Sequence, residues 1–270
     1  MKVPFSWLRQ YVDIDVTAKE LETRLFDSGF EVEELIDLSA GIEKVVVGAV
    51  TEAAPLEGTH LFVCKVDCGE YGRDIQILTG APNVYVGMHT PAALDGAVLP
   101  GGVKIKARPM RGLPSNGMLC SGEELGLNDD LFPGAEVYGL LELPQDTVPG
   151  TPIQQVVGLD DYIFDISITA NRPDCQSVLG IAREVAAALD KPLKMPALDY
   201  TASQTTDPRV SVEVEAPDLC PRYLAHYVRN ITPGVSPAWM RRRLALCGLR
   251  SISNVVDITN YVMLEIGQPM

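Results

Sequence analysis

The sequence contains no apolar run long enough to span a bilayer, and its N-terminus reaches Arg9 before any leader-type hydrophobic stretch can form. The expectation is a cytoplasmic protein without a membrane partner. Gly-rich phosphate loops, GxSxG elbows and HExxH motifs are missing, so no ATP site is expected in this chain. Histidine is limited to His60, His89 and His226, too far apart in sequence to suggest a ligand set with Cys64 and Cys68. No metal site is expected. The six cysteines lack the density of a disulfide framework and read as reduced thiols. Positive charge is also in short supply: 22 Lys and Arg stand against 36 Asp and Glu, a formal net charge of −14. Taken alone, that balance argues against a polyanionic partner.

With 270 residues and 46% apolar content, the chain can bury two or three compact cores. Thr17 followed by Glu20 forms a capping box, and Leu21 and Leu25 continue at helical spacing to Gly29, which predicts a helix over 18–28. From Val45 to Ser121 the texture changes to short β-rich runs punctuated by Gly and Pro, the pattern of a small barrel or sandwich. Leu143 to Ile153 reads as a linker. Asp174 or Ser177 then caps a helix carrying Val178, Ile181, Val185 and Leu189, which Lys191-Pro192 ends. Residues 192–208 look like a second linker. Val210, Val212 and Val214 alternate with polar residues as a half-buried strand would, and Arg222 to Val228 offers a partner strand. Ser236-Pro237 predicts a helix start leading through Trp239 and Leu244 to Gly248. A last helix is expected over Asn254 to Ile266, stopped by Gly267.

The charge is unevenly spread. No acidic residue lies between Asp95 and Glu123, while Lys104, Lys106, Arg108 and Arg111 fall close together, a positive stripe on an acidic body. Arg241, Arg242, Arg243 and Arg250 form a second cluster. A solvated face is the bland reading of both.

Several segments carry a family resemblance. The opening MKVPFSWLRQYV, the ITANRPDCQSVLGIAREVAAA run at 168–188 and SPAWMRRRLALCGLRSISNVVDITNYVMLEIGQPM at 236–270 resemble bacterial phenylalanyl-tRNA synthetase β subunits. Residues 45–127, with ILTGAPNV, RGLPSNGMLCS and EELGL, resemble the oligonucleotide-binding-fold (OB-fold) tRNA-binding domain of that subunit. The segment Ala54-Pro55-Leu56-Glu57-Gly58-Thr59-His60 departs from the His-Pro-x-x-Asp stretch common in that barrel family.

The resemblance implies an α+β multi-domain chain in which a closed five-stranded barrel is inserted in a small α+β domain. Residues 1–40 and 152–195 would form the host, 41–151 the OB-fold domain, and 200–270 the first part of an α/β editing domain of the B3/B4 type, which makes the linker near Leu143 a return path rather than a domain boundary. It further implies that the chain is an N-terminal fragment, with tRNA(Phe) and the synthetase α subunit of an α2β2 heterotetramer as partners. ATP and Mg2+ belong to the holoenzyme rather than to this piece, and DNA is not an expected partner. Thr259 and Asn260 within DITNY carry over as part of the site that hydrolyses tyrosyl-tRNA, with a family histidine expected past Met270. The candidate RNA contacts are Lys104, Lys106, Arg108 and Arg111, with Ser115, Asn116 and Met118 in the adjoining stretch supplying polar and apolar contacts. The alternatives are a non-catalytic tRNA-binding module or a structural scaffold, against which the motifs at 168–188 and 236–270 count.

Overall fold

The computed structural model describes residues 1–197, 199–201 and 211–270. The chain opens with β1 (Lys2–Pro4), α1 (Phe5–Tyr11), α2 (Ala18–Asp27) and β2 (Glu31–Asp37). The strands β3 (Glu43–Pro55), β4 (Phe62–Asp67), β5 (Ile75–Thr79), β6 (His89–Leu99), β7 (Val103–Lys104), β8 (Arg108–Met110), β9 (Leu113–Ser115) and β10 (Gly117–Leu119) follow. The chain continues through α3 (Ile153–Val157), β11 (Tyr162–Ser167), α4 (Val178–Leu189), α5 (Ala238–Leu246) and α6 (Asn254–Ile266). It is an α+β fold built on antiparallel sheets. No helix of the described residues is long and apolar enough to cross a membrane.

Chain ends far apart in sequence meet in the first sheet, where β11 lies antiparallel between β1 and β2. Phe164 faces Val3 on one side and Leu35 on the other. Helices α1, α2 and α4 cover the sheet, burying Trp7, Leu8, Leu21, Leu25, Val178 and Ile181 with Phe164 and Ile166. Each such side chain contributes on the order of 1.5–3 kcal/mol on leaving water. The Thr17/Glu20 capping box forms at α2, and Ser177 accepts from the Gly180 N–H to cap α4.

The second sheet runs β10-β6-β3-β4-β5, with β7 on β6. β5, at one end, bonds to the residues that lead into β10 at the other: the Leu78 N–H donates to Ser115 Oγ at 3.1 Å, and the Asn116 N–H donates to the Gln76 carbonyl at 2.8 Å. Val46, Val50, Cys64, Val66, Ile77, Ala92 and Leu119 fill one side. Val45, Val47 and Ala93 face the other way, as the two-residue period of a strand requires, beneath Leu125, Leu141, Leu143, Ile153 and Val157. A Cβ at Gly48 would come within 2.6 Å of Val66 Cγ1, which restricts that position to glycine. The expected linker over Leu143 to Ile153 is instead part of the fold. The Leu143 N–H donates to the His89 carbonyl at 2.8 Å, and Val47 exchanges bonds with Thr151 and Gly150. Its two apolar ends cover the outer face of β3, which would otherwise be wet.

The linker expected at 192–208 is likewise tied down at its start. Leu193 bridges Val12, the Lys194 N–H donates to the Tyr11 carbonyl at 2.7 Å, and Lys191 pairs with Asp15 at 2.7 Å. Residues 198 and 202–208 of it lie outside the described residues, as do Arg209 and Val210. The strands expected from Val210 to Val214 and from Arg222 to Val228 are not found among the described residues. Val212, Val214, Tyr223, Leu224 and Val228 are exposed. An isolated strand pair with no apolar surface to cover gains too little to hold its ladder.

Beyond that stretch, α5 and α6 occupy the expected positions, and α6 ends at Gly267 with φ 77°. Ser236 does not cap α5, however. Its hydroxyl donates to Asp257, as does that of Ser251 at 2.5 Å, and the Ile252 N–H donates to the same carboxylate at 2.8 Å. Asp257 is 0% exposed. Burial pushes its carboxyl up, but these hydrogen bonds outweigh it and hold the group below the ordinary carboxylate value.

Three consecutive arginines of α5 dock this helix pair on the rest of the chain. Arg241 donates twice to Asp130 Oδ1, at 3.0 and 2.9 Å. Arg242 donates to the Val157 carbonyl at 2.7 Å, over the bare face of Gly158. Arg243 lies against the rings of Trp7, Trp239 and Tyr261, with its carbon 5.1, 5.3 and 5.8 Å from their centroids, and donates to the Tyr261 hydroxyl at 2.6 Å. For Arg241, Arg242 and Arg243 a solvated face is therefore the wrong description, because successive residues on a helix point about 100° apart and each finds a different internal partner.

Replacing Asp257 by Ala should loosen the α5–α6 pair by roughly 2 kcal/mol or more, since charged hydrogen bonds are lost and two hydroxyls are stranded. Amide exchange should accelerate over 238–266 while the second sheet keeps its protection. Because the folded pKa is depressed, this contribution is present above the unfolded carboxylate pKa and fades as pH falls below about 4, a dependence that Asp257→Ala should abolish. Arg243→Ala should cost about 1–2 kcal/mol of docking and speed limited proteolysis between 211 and 237, without shifting the melting of the barrel.

Candidate nucleic-acid interface

The basic stripe is held along the end of β6 by backbone bonds. The Ile105 N–H donates to the Ala97 carbonyl at 2.8 Å, the Gly96 N–H to the Ile105 carbonyl at 2.9 Å, and the Ala107 N–H to Asp95 Oδ1 at 2.7 Å. The hairpin β8–β9 follows, turning at Arg111 and Gly112 with φ of 49° and 83°. Positive φ at both central residues suits a two-residue hairpin turn and leaves the Arg111 side chain at its tip.

Between the stripe and the second sheet lies a groove of about 930 Å³. Lys104, Lys106, Arg108, Ser115 and Met118 all line it. Arg111 and Asn116 do not. Arg111 lines a neighbouring concavity with His60, Thr59 and Gly58, the segment that departs from the barrel family's pattern, and Asn116 lines a third with Lys65 and Gln76. Lys104, Lys106, Arg108 and Arg111 are exposed, and among the described residues none of them forms an ion pair. Their charge is thus available to solvent and to a bound anion.

Ser115 has a different character. It is 2% exposed, and its hydroxyl accepts from the Leu78 N–H and donates to the Gly117 carbonyl at 3.2 Å. Its bonding capacity is spent on closing the sheet. Met118 is half-buried opposite Ala93. The groove residues that sequence reasoning missed include Met110, Glu124 and Tyr138. The only signal for Tyr138 was a lone aromatic beside Gly139 in an irregular, polar stretch.

Thr259 and Asn260 stand apart from this groove on α6. Thr259 is half-buried, and its hydroxyl donates to the Val256 carbonyl at 2.7 Å, an attachment to its own helix. As neighbours on a helix the two side chains diverge by about 100°.

Cys64 and Cys68 point into the barrel, where burial raises their thiols to about 11 and about 12, and for Cys68 the Asp67 carboxylate adds to the effect. The histidines are dispersed: His60 borders Arg111, His89 Nδ1 pairs with Thr147 Oγ1 at 3.0 Å, and His226 meets the edge of Tyr200. Asp174, Cys175 and Glu184 do bring potential ligand atoms within 4.8 Å of one another. Arg172 already fills that cluster, however, with bonds to Asp174 at 2.9 Å, Glu184 at 2.6 Å and Cys175 Sγ at 3.0 Å.

A family model described as "Putative tRNA binding domain" matches residues 45–152, and one described as "B3/4 domain" matches residues 219–270. The phenylalanine–tRNA ligase β subunit of Clostridium acetobutylicum is 47% identical over 272 residues, and that of Clostridium tetani is 48% identical over 273. That of Moorella thermoacetica is 44% identical over 275 residues. Each alignment covers 100% of this chain and 34% of the relative, so the chain spans about a third of the length of the curated relatives it matches. Matched from end to end to the N-terminal third of these proteins, the chain belongs to the phenylalanine–tRNA ligase β subunit family.

Proposed function

We propose that this chain supplies the tRNA-binding and part of the editing apparatus of a phenylalanine–tRNA ligase. The observation that carries the proposal is the groove, in which unpaired cations border an apolar floor on a chain otherwise acidic. In this reading residues 41–151 are an OB-fold domain inserted between 1–40 and 152–195, supported by the bonds that join β5 to the 114–116 segment and by the pairing of β11 with β1 and β2. Residues 200–270 open an editing domain of the B3/B4 type. The tRNA is tRNA(Phe), held through phosphate contacts to Lys104, Lys106 and Arg108 in the groove and to Arg111 at the hairpin tip, with Asn116 and Met118 beside the path. Ser115 serves it indirectly, by fixing the groove wall.

The ligase is an α2β2 assembly in the cytoplasm, and ATP and Mg2+ act at the α subunit. The described residues of this chain do not fit such an ion, because Arg172 occupies the one cluster with suitable ligand atoms. Editing has a physical motive: an apolar pocket rejects an isostere bearing one added hydroxyl by only about 10². Thr259 and Asn260 would orient the ester or a water molecule there. A hydroxyl and an amide are poor general bases, so they would do so as hydrogen-bonding groups.

Two measurements test this reading. Charge reversal of Lys104, Lys106, Arg108 and Arg111 together should reduce tRNA binding at low salt and flatten its salt dependence, each lost phosphate contact lowering the slope of log K against log salt by about 0.7–0.9. Unchanged binding would leave the stripe a solvated face. For editing, a chain continued through the length of its relatives should hydrolyse tyrosyl-tRNA. Thr259→Val in it should slow that step at least about tenfold while the circular dichroism spectrum stays the same. An unaltered rate would remove Thr259 from the site.

A further inference from the structure

Tyr138 is among the least economical placements in the structure. It is 88% exposed, yet it borders the same groove as Lys104, Lys106 and Arg108. Its backbone is not loose. Asn83 grips Leu140, two residues on, its Oδ1 accepting from the Leu140 N–H and its Nδ2 donating to the Leu140 carbonyl, both at 2.9 Å. Gly139, with φ 127°, has no Cβ where Asn83 Oδ1 would lie 2.2 Å away. The Leu141 N–H donates to the Cys120 carbonyl at 3.1 Å, which ties this loop to the segment carrying Ser121 and Glu124. A fixed backbone therefore presents a bare aromatic ring to solvent at the edge of a cationic groove.

Glu124 gives the groove a polarity. It is the one acidic residue among those lining it, and its carboxylate is drawn back by the Ser121 N–H at 2.7 Å and the Ser121 hydroxyl at 3.0 Å. Phosphate is favoured at the Lys104–Arg108 border and disfavoured beside Glu124.

We infer that Tyr138 is a stacking platform for an unpaired nucleobase, so that the groove takes single-stranded RNA, with phosphates on Lys104, Lys106 and Arg108 and a base on the Tyr138 ring. The inference rests on the proposed RNA-binding role of the groove and adds the class of RNA it selects. An exposed aromatic face beside a cationic track is what sequence-tolerant single-strand binding uses, whereas the bases of a duplex are already stacked and cannot reach the ring.

The test uses the chain with a fluorescein-labelled single-stranded RNA and a blunt RNA duplex of the same length, titrated across a range of salt. Tyr138→Ala should weaken single-strand binding about tenfold, Tyr138→Phe should bind as the parent does, and duplex binding should not change. The slope of log K against log salt should stay constant in Tyr138→Ala, because no phosphate contact is lost. If Tyr138→Ala binds the single strand as the parent does, or weakens strand and duplex equally, the stacking inference is overturned. The charge-reversal result judges the groove itself separately.

Discussion

Everything in the fold hangs on β11 being gripped between β1 and β2. This pairing joins residues 2–4 and 31–37 to residues 162–167, and Phe164 sits at its centre with neighbours on both sides. Helices α1, α2 and α4 share the core that the sheet backs. Through Trp7, on α1, the same unit then receives Arg243 and Tyr261, with the Trp7 and Tyr261 rings stacked at 4.9 Å. The second sheet and the α5–α6 pair are consequently arranged around one small sheet, and the outer face of β3 is covered by the chain on its way back to that sheet.

The two arginine and lysine clusters illustrate how little formal charge says about role. Both are dense in positive residues. In the first, neighbouring backbone bonds to β6 hold the chain along the groove while the side chains remain in solvent. In the second, helical geometry sends Arg241, Arg242 and Arg243 in separate directions, toward a carboxylate, a carbonyl and an aromatic cluster. The chain thus devotes one cluster to holding itself together and leaves the other free.

Much of this was legible beforehand, and where it was not the reasons are physical. Capping boxes, serine caps and terminal glycines act within a few residues of their helix, so α2, α4 and α6 could be read locally. The strands of the second sheet announced themselves through β-branched runs. The supposed linker at Leu143 was misread because a Pro/Gly-rich segment can pack as closely as a strand when it carries apolar residues at its ends. The alternation of Val210, Val212 and Val214 pointed to a strand, but alternation supplies only the face, not the surface that would bury it. Of the groove residues, the cations were visible as a break in the acidic background. Tyr138 and Glu124 were not, because the Asn83 and Cys120 contacts that bring their loop to the groove span long stretches of sequence. Asp257 was an acid in an apolar helix, a discordance whose cause, three converging donors, lies outside that helix.

The closeness of residues 42–47 to residues 150–154 bears on how the chain comes together in time. Gln154 Nε2 donates to the Ile42 carbonyl at 2.8 Å, and Val47 is bonded to both Gly150 and Thr151. Residues 38–161 separate β2 from β11 along the chain, a long loop to close if it is unstructured when the two strands meet. If β3 to β10 have already paired, that loop shortens to the few residues on either side of the Ile42–Gln154 bond, and the search that joins β2 to β11 becomes a local one. During synthesis β3 to β10 emerge before β11, so the order of translation matches the order that makes the first sheet fastest to assemble.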